Sequence, residues 1–476
     1  MKNKIFDKVK KVHFIGIGGI GISAIAKMFL IEGKKVSGSD MSDSKIIEEL
    51  KNSGAEIFIG HDGKNISKDV DLVIYTIAIT PENPEFKQAE KLGIKMITYP
   101  QALHEISKEK YTIAVSGTHG KTTTTAMIAK IMIDAGLDPT VIVGSLLKDT
   151  KSNFVAGKSK YLVVEACEYR KSFLNIEPDI AVVTNIDNDH LDFYKDIVDI
   201  QNAFGEFTEK VPEKGYIICD KEDKLVTDAI RNSKAKIVFS NQFSGDFKLK
   251  IPGEHNKKNA EKALAVAHLL EIDKKKAIKS LEEFSGTWRR FEHKGETKDG
   301  VIVYDDYGHH PTEIKATLKG AREFFSAKGG SAYGGGNKKI TVVFQPHLFS
   351  RTKLLLNDFA KAFDNADKVL LAPIYRAREV FDPTISSDIL ADKIKSTLCH
   401  SEIQVPVCTG INSGGNPGKI KMDPVLQRDD KKVVLSFKNF EDIEKYIKEN
   451  LKKGDVLMTI GAGDVYKIGE RLVSGI

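Results

Sequence analysis

The chain has 476 residues, too many for a single hydrophobic core, and at roughly 100–200 residues per domain it divides into about three. Charged residues make up 29% and aromatic residues 8%, a globular composition that points to neither disorder nor a membrane life. The formal net charge of +6, from 72 basic and 66 acidic residues spread along the length, argues against a dedicated nucleic-acid surface and suits a polyanionic small molecule.

The opening stretch "MKNKIFDKVKKVHFIGIG" is charged and lacks the apolar centre of an export signal, and no run reaches the ~18 apolar residues of a bilayer span. The cytoplasm is the expected location. The four cysteines, Cys167, Cys219, Cys399 and Cys408, form no C-x-x-C pair, which fits a reducing compartment.

From Lys11 to about Pro100, short apolar strands ("KVHFIGIG", "KKVSGSD", "DLVIYTIAI") alternate with helical stretches such as "ISAIAKMFLIEG", the rhythm of parallel α/β units. Between the first strand and helix, Gly16, Gly18 and Gly21 fall in G-x-G-x-x-G spacing, and Asp40 follows the next strand. Such glycines let the backbone approach a pyrophosphate, and they do not separate NAD from a UDP-sugar.

A second unit opens at "KYTIAVSG" and runs through "KYLVVEACE" and "DIAVVTNID". Its "VSGTHGKTTTTAM", residues 115 to 127, is a phosphate-cradling loop in shortened form: the position four residues ahead of Gly-Lys-Thr is not glycine, and the only upstream glycine is Gly117. The pattern predicts a strand over "KYTIAV" and a helix over "TTTTAMIAKIMIDAG" closed by Gly136, so the loop sits at a strand-to-helix junction. Gly117 and Gly120 would let N–H groups converge on phosphate oxygens, Lys121 would reach the β- and γ-phosphates, and the Thr122 hydroxyl would ligate magnesium. Two further strands end in ionisable groups, Glu165 on "YLVVE" and Asp187, Asp189, His190 and Asp192 after "AVVTNI". His190 reads either as a metal ligand or as a hydrogen-bonding loop residue.

A third unit begins near "GVIVYDDYGHH" and continues through "KKITVVFQPH", "DKVLLAPIY" and "DVLMTIGAGD". Residues 327 to 339 and 410 to 423, rich in glycine and lysine, read as surface loops.

In order and spacing, "HFIGIGGIGISAIA", "GSD", "GTHGKTTTT", "EACE", "NIDNDHLD", "PGEHNKKNA", "RRFE", "YDDYGHHPTE", "FQPHLFSRT" and "GAGDV" resemble the bacterial Mur ligases over nearly the whole chain. The resemblance implies an α/β fold of three domains: a Rossmann-like UDP-sugar-binding domain (1–108), a central P-loop ATPase domain (109–296) and a Rossmann-like amino-acid-binding domain (297–476). It implies ATP as co-substrate, magnesium (or manganese) as metal, and a monomer or homodimer with no nucleic-acid or membrane partner. His119, where most sister ligases have asparagine, points to the branch joining L-alanine to UDP-N-acetylmuramate, or to its relative that recycles a murein tripeptide.

Residue by residue, the resemblance assigns Lys121, Glu165 and His190 to catalysis, with Thr122, Glu165 and His190 on metal. Gly117, Thr118, His119, Gly120, Lys121, Thr122 and Thr123 would hold the triphosphate, His255, Asn256 and Asn259 the adenine side, and Arg290 and Asp306 would close over ATP. Gly16, Gly18, Gly19, Ile20, Gly21, Ser39, Asp40 and His61 would surround the UDP-sugar, and His347, Arg351 and Arg378 the alanine and muramyl group. Two other classes compete. An NAD-linked oxidoreductase would use "GIGGIG" and leave the 115–125 loop unexplained, and a plain P-loop NTPase would leave the first domain idle.

Overall fold

The computed structural model describes residues 5–326, 338–377, 379–401 and 432–475. Arg378 and the glycine-rich stretches, apart from residues 338 and 339, lie outside them. By its contacts the chain divides into two compact units, Met1–Trp288 and Arg289–Ile476.

The first unit holds two sheets. One is built from β1 (Lys11–Ile15), β2 (Lys35–Asp40), β3 (Glu56–Ile59), β4 (Leu72–Tyr75) and β5 (Lys95–Thr98), all parallel, in the order β3-β2-β1-β4-β5. The order reverses between β1 and β4, so the glycine-rich turn after β1 opens at the switch point where ligands of doubly wound sheets bind.

The other sheet comprises β6 (Tyr111–Ser116), β7 (Thr140–Leu147), β8 (Ser152–Val155), β9 (Tyr161–Glu165), β10 (Ile180–Val183), β11 (Tyr216–Cys219) and β12 (Lys236–Phe239), in the order β12-β11-β10-β6-β9-β7-β8. Only β8 runs antiparallel, as a hairpin with β7. Near-continuous burial of β6, β9 and β10 fits their apolar runs, since a parallel sheet is covered on both faces. The helix Lys121–Asp134 follows β6 and is buried along most of its length, and it stops where Gly136 takes a φ of 78°. There Gly136 N–H donates to Ile133 O and Leu137 N–H to Met132 O, satisfying carbonyls the helix end leaves open.

A polar tie joins the two sheets of this unit. Asn153 on β8 is fully buried; its Nδ2 donates to Ile20 O and Ser23 Oγ in the helix Ile20–Ile31, and its Oδ1 accepts from Lys27 Nζ at 2.9 Å.

The second unit holds β13 (Glu292–Glu296), β14 (Ile302–Asp306), β15 (Ile340–Phe344), β16 (Lys368–Leu371), β17 (Val433–Ser436) and β18 (Val456–Ile460), in the order β13-β14-β18-β15-β16-β17. Among the described strands of this sheet only β13 is antiparallel. Among the described residues no helix is long and apolar enough to cross a membrane.

Candidate functional site

The phosphate loop runs from the end of β6 to the helix Lys121–Asp134 and is shaped by two glycines. Gly117 has a φ of 134°, and a Cβ there would lie 1.9 Å from Thr184 Oγ1; Gly120, the helix N-cap, has a φ of 82°. Helix N-terminal amides lack intrahelical acceptors, which makes this end a ready anion site.

The segment after β10 holds the loop in place. Thr118 N–H donates to Asn185 O and His119 N–H to Asn185 Oδ1, while Thr184 Oγ1 and Asn185 Nδ2 donate to His119 O. The Asp187 amide donates to Thr118 Oγ1, and Asp187 Oδ2 lies 3.0 Å from His119 Nε2. "GTHGK" and "NIDNDH" therefore form one hydrogen-bonded body, which explains how two distant motifs serve one site.

Lys121 Nζ donates to Gly117 O at 2.5 Å and Thr118 O at 2.9 Å, and it pairs with Glu168 at 2.9 Å. Glu168 is buried, lies 3.4 Å from His190 Nε2 and was not singled out from the sequence. Burial would push its carboxyl up, but Lys121 and His190 outweigh that and hold it below the usual carboxylate range. Burial would likewise depress Lys121, and the neighbouring Glu168 carboxylate keeps it above the ordinary lysine value. His190 itself has a φ of 56°, uncommon outside glycine, and its ring centroid lies 4.8 Å from that of Tyr169.

Glu165, the strand-terminal carboxylate expected from the sequence, sits beside this pair. Its Oε1 accepts from Thr122 Oγ1 at 3.0 Å and its Oε2 from Gly144 N–H at 2.7 Å. Thr122, Glu165, Glu168 and His190 thus come from the helix start and the ends of two strands. Thr123 is buried in the same first turn. Hard oxygen donors backed by one imidazole fit magnesium or manganese, and Glu168 Oε2 makes no hydrogen bond beyond its ion pair with Lys121.

Of the residues expected on the adenine side, Asn256 and Asn259 are buried in the helix Glu254–Leu269. Asn259 Oδ1 lies 2.7 Å from where a Cβ on Gly120 would stand, which brings this helix against the loop. Asn256 Nδ2 donates to Pro252 O, and His255 packs on the turn at Gly253.

In the first sheet, Gly16 and Ile17 N–H donate to Ser39 O and Gly18 N–H donates to Asp40 Oδ2 at 2.9 Å. Gly19 is the N-cap of the helix that Ile20 and Gly21 begin. The Asp40 carboxylate is therefore fixed against the glycine loop. Ser39 is fully buried and contacts His61 Nδ1 at 2.9 Å, so of this pair His61, not Ser39, is left to meet a ligand.

In the second unit, Asp306 is buried and accepts from Phe291 and Gly308 N–H, both at 2.8 Å, with burial pushing its carboxyl up. It braces the segment that carries Arg290, whose guanidinium lies 5.1 Å from the Tyr307 ring and 3.8 Å from Glu313. Arg289, also unassigned from the sequence, is buried; it pairs with Asp305 at 2.8 Å and donates to the carbonyls of Gly461 and Gly463, tying "RRFE" to "GAGD". His347 and Arg351 come together, Nδ1 to Nη1 at 3.2 Å, with His347 stacked on Tyr375.

Family profiles match in three successive segments: residues 11–111 match the Mur ligase family catalytic domain, 115–247 the Mur ligase middle domain and 289–463 the Mur ligase glutamate ligase domain. The chain is 40% identical to a UDP-N-acetylmuramate–L-alanine ligase of Clostridium botulinum, with 99% of each chain covered, and 42% identical to one of Clostridium tetani, with 97% of each covered. Among solved structures it resembles the UDP-N-acetylmuramate-alanine ligase of Thermotoga maritima (TM-score 0.76, 27% identity, 98% of each chain). It shares its fold with a murein peptide ligase of Psychrobacter arcticus (TM-score 0.67, 23% identity, 98% of each chain).

Proposed function

The chain belongs to the Mur ligase family, and on that premise we propose that it joins L-alanine to the carboxylate of UDP-N-acetylmuramate at the expense of ATP. The observation that supports this reading most is that Lys121, Thr122, Glu165, Glu168 and His190 converge at one helix start, in a chain similar from end to end to alanine-adding ligases.

A carboxylate resists attack by an amine because its leaving group would be oxide. The muramyl carboxylate oxygen therefore attacks the γ-phosphorus, the bond to ADP breaks, and an acyl phosphate forms. The alanine nitrogen then adds to the acyl carbon, the tetrahedral intermediate expels phosphate, and the amine proton is lost. Phosphoryl transfer of this kind relies on positioning and on positive charge around the γ-phosphate. Lys121 supplies that charge from the loop, and the helix N-terminus adds its dipole.

Thr122, Glu165, Glu168 and His190 are the residues that would hold magnesium. When bound, the ion neutralises charge on the transferring phosphoryl group. Asn256 and Asn259 line the nucleotide side of the same loop, Asp40 braces the glycine turn at Gly18 that would lie against the UDP-sugar with His61 beside it, and Arg351 offers a cationic donor, and His347 a ring N–H, for the carboxylate of alanine. The expected setting is the cytoplasm, where a monomer or homodimer acts on small molecules alone.

The discriminating experiment compares acceptors. With ATP, magnesium and UDP-N-acetylmuramate, phosphate release should require L-alanine; release with L-alanyl-γ-D-glutamyl-diaminopimelate and not with L-alanine would instead indicate the tripeptide-recycling reaction.

A further inference from the structure

Glu85 is fully buried, yet its carboxylate is ringed by polar side chains at the carboxyl ends of the first sheet. Ser39 Oγ donates to Oε2 at 2.5 Å, His61 Nδ1 lies 3.2 Å from the same oxygen, and Asn65 Nδ2 donates to Oε1 at 2.5 Å. Buried His13 Nε2, which makes no hydrogen bond, stands 3.9 Å from Oε1. Glu85 also lies in the first turn of the helix Pro84–Lys91, capped by Asn83, where the helix dipole favours an anion. Burial pushes its carboxyl up, but the nearby His13 ring and the bonds from Ser39 and Asn65 outweigh that and hold it below the usual range.

A buried charge is tolerated only when its lone pairs are satisfied, and here they are satisfied by groups that edge the diphosphate loop. The Ser39 hydroxyl has one proton and gives it to Glu85, so at its 2.9 Å contact with His61 it accepts. Both neighbours of His61 Nδ1 are then acceptors, which places a proton on Nδ1 and leaves Nε2 as the nitrogen available to a ligand. An anion at Nε2 is met by an N–H there, so the ring that receives the diphosphate is the doubly protonated form, with the Glu85 carboxylate on its far side.

We propose that Glu85 is a positioning residue of the UDP-sugar site, acting through Ser39 and His61 to fix which ring nitrogen of His61 is presented to the ligand's diphosphate. The inference rests on the reading of this sheet edge as the UDP-sugar site.

Calorimetric titration of UDP-N-acetylmuramate, and separately of ATP, into wild type, Glu85→Gln, His61→Ala and the double variant tests it. Glu85→Gln should weaken UDP-sugar binding about tenfold, the scale of a hydrogen bond to a charged group, and leave ATP binding as it was. In turnover the loss should fall on KM for the UDP-sugar rather than on kcat. The double variant should bind no more weakly than His61→Ala, because Glu85 acts through that ring. Wild-type affinity in Glu85→Gln, a Glu85→Gln loss that persists undiminished without His61, or an equal loss for ATP would overturn the proposal. If Glu85→Gln does not fold, Ser39→Ala removes the hydroxyl link and leaves the direct 3.2 Å contact, so it should show a smaller loss in the same pattern, and wild-type affinity together with an unchanged response to His61→Ala would count against the proposal. Failure of the underlying reading looks different: wild type would then give no heat with the UDP-sugar at all, whereas wild-type binding lost in His61→Ala and intact in Glu85→Gln removes only the role of Glu85.

Discussion

Lys121 Nζ stands 2.9 Å from one carboxylate oxygen of Glu168 and 3.0 Å from the other, at the first turn of the helix that follows the phosphate loop. Glu168 is buried and Lys121 partly so, and on the proposed reading the pair sets the charge where the γ-phosphate would lie. Lys121→Ala should abolish ATP-dependent phosphate release, because the loop loses its side-chain cation. Lys121→Arg should not restore it, since a planar fork cannot take the place of a point charge bonded to Gly117 and Thr118 carbonyls. A steady-state phosphate assay reads both, and near-normal turnover of Lys121→Ala would contradict the assignment.

The same pair makes a pH-dependent contribution to stability. Glu168 has a folded-state pKa below its ordinary value of 4.5, so its stabilisation is complete above about that pH and is lost as pH falls through the lower folded value. Glu168→Gln leaves Lys121 and His190 without their anion and should cost about 3 kcal/mol at pH 7. The difference between variant and wild type should shrink as the pH is lowered past the folded-state pKa, in denaturant titrations run side by side. A difference independent of pH would show that the carboxylate is not ionised in the fold.

Asp40 is held against Gly18 N–H and, on the proposed reading, stands at the site of the other nucleotide. Asp40→Ala should raise the apparent KM for the UDP-sugar and leave that for ATP near its wild-type value. Equal rises in both would count against separate nucleotide sites.

Gly117→Ala tests the loop's shape rather than its charge. The added methyl would sit 1.9 Å from Thr184 Oγ1 on a backbone with φ of 134°, and Thr184 is itself bonded to His119 O. Strain and displacement together should cost on the order of 2–3 kcal/mol. Thermal unfolding followed by circular dichroism should show a clear drop in Tm, together with loss of ATP binding.

The sequence is most legible where a buried parallel strand ends in a ligand-binding turn. β6, β9 and β10 are continuous apolar runs, and the residues after them are short, polar and conformationally demanding, so Lys121, Thr122, Glu165 and His190 stand out. Edge strands are harder to see. β13 reads Glu-His-Lys-Gly-Glu, without alternation, and exists because it pairs with β14 and keeps its charges partly exposed, as sheet edges commonly do.

Glu168 and Glu85 were hidden for related reasons. Glu168 lies three residues past β9 in a short irregular turn, where an acidic residue reads as solvated, and its second acidic position in "EACE" was the one available signal. Glu85 follows Asn-Pro at a helix start, the usual place for an exposed dipole-compensating carboxylate, and only the chain's path buries it beside Ser39 and His61.

The central claim is that ATP activates the muramyl carboxylate as an acyl phosphate, and isotope transfer tests it most directly. UDP-N-acetylmuramate carrying oxygen-18 in its lactyl carboxylate is turned over with ATP, magnesium and L-alanine, and the released phosphate is analysed by mass spectrometry or phosphorus NMR. The account predicts that each phosphate released carries one oxygen derived from that carboxylate. Phosphate released without the label, or label recovered in AMP, would contradict it.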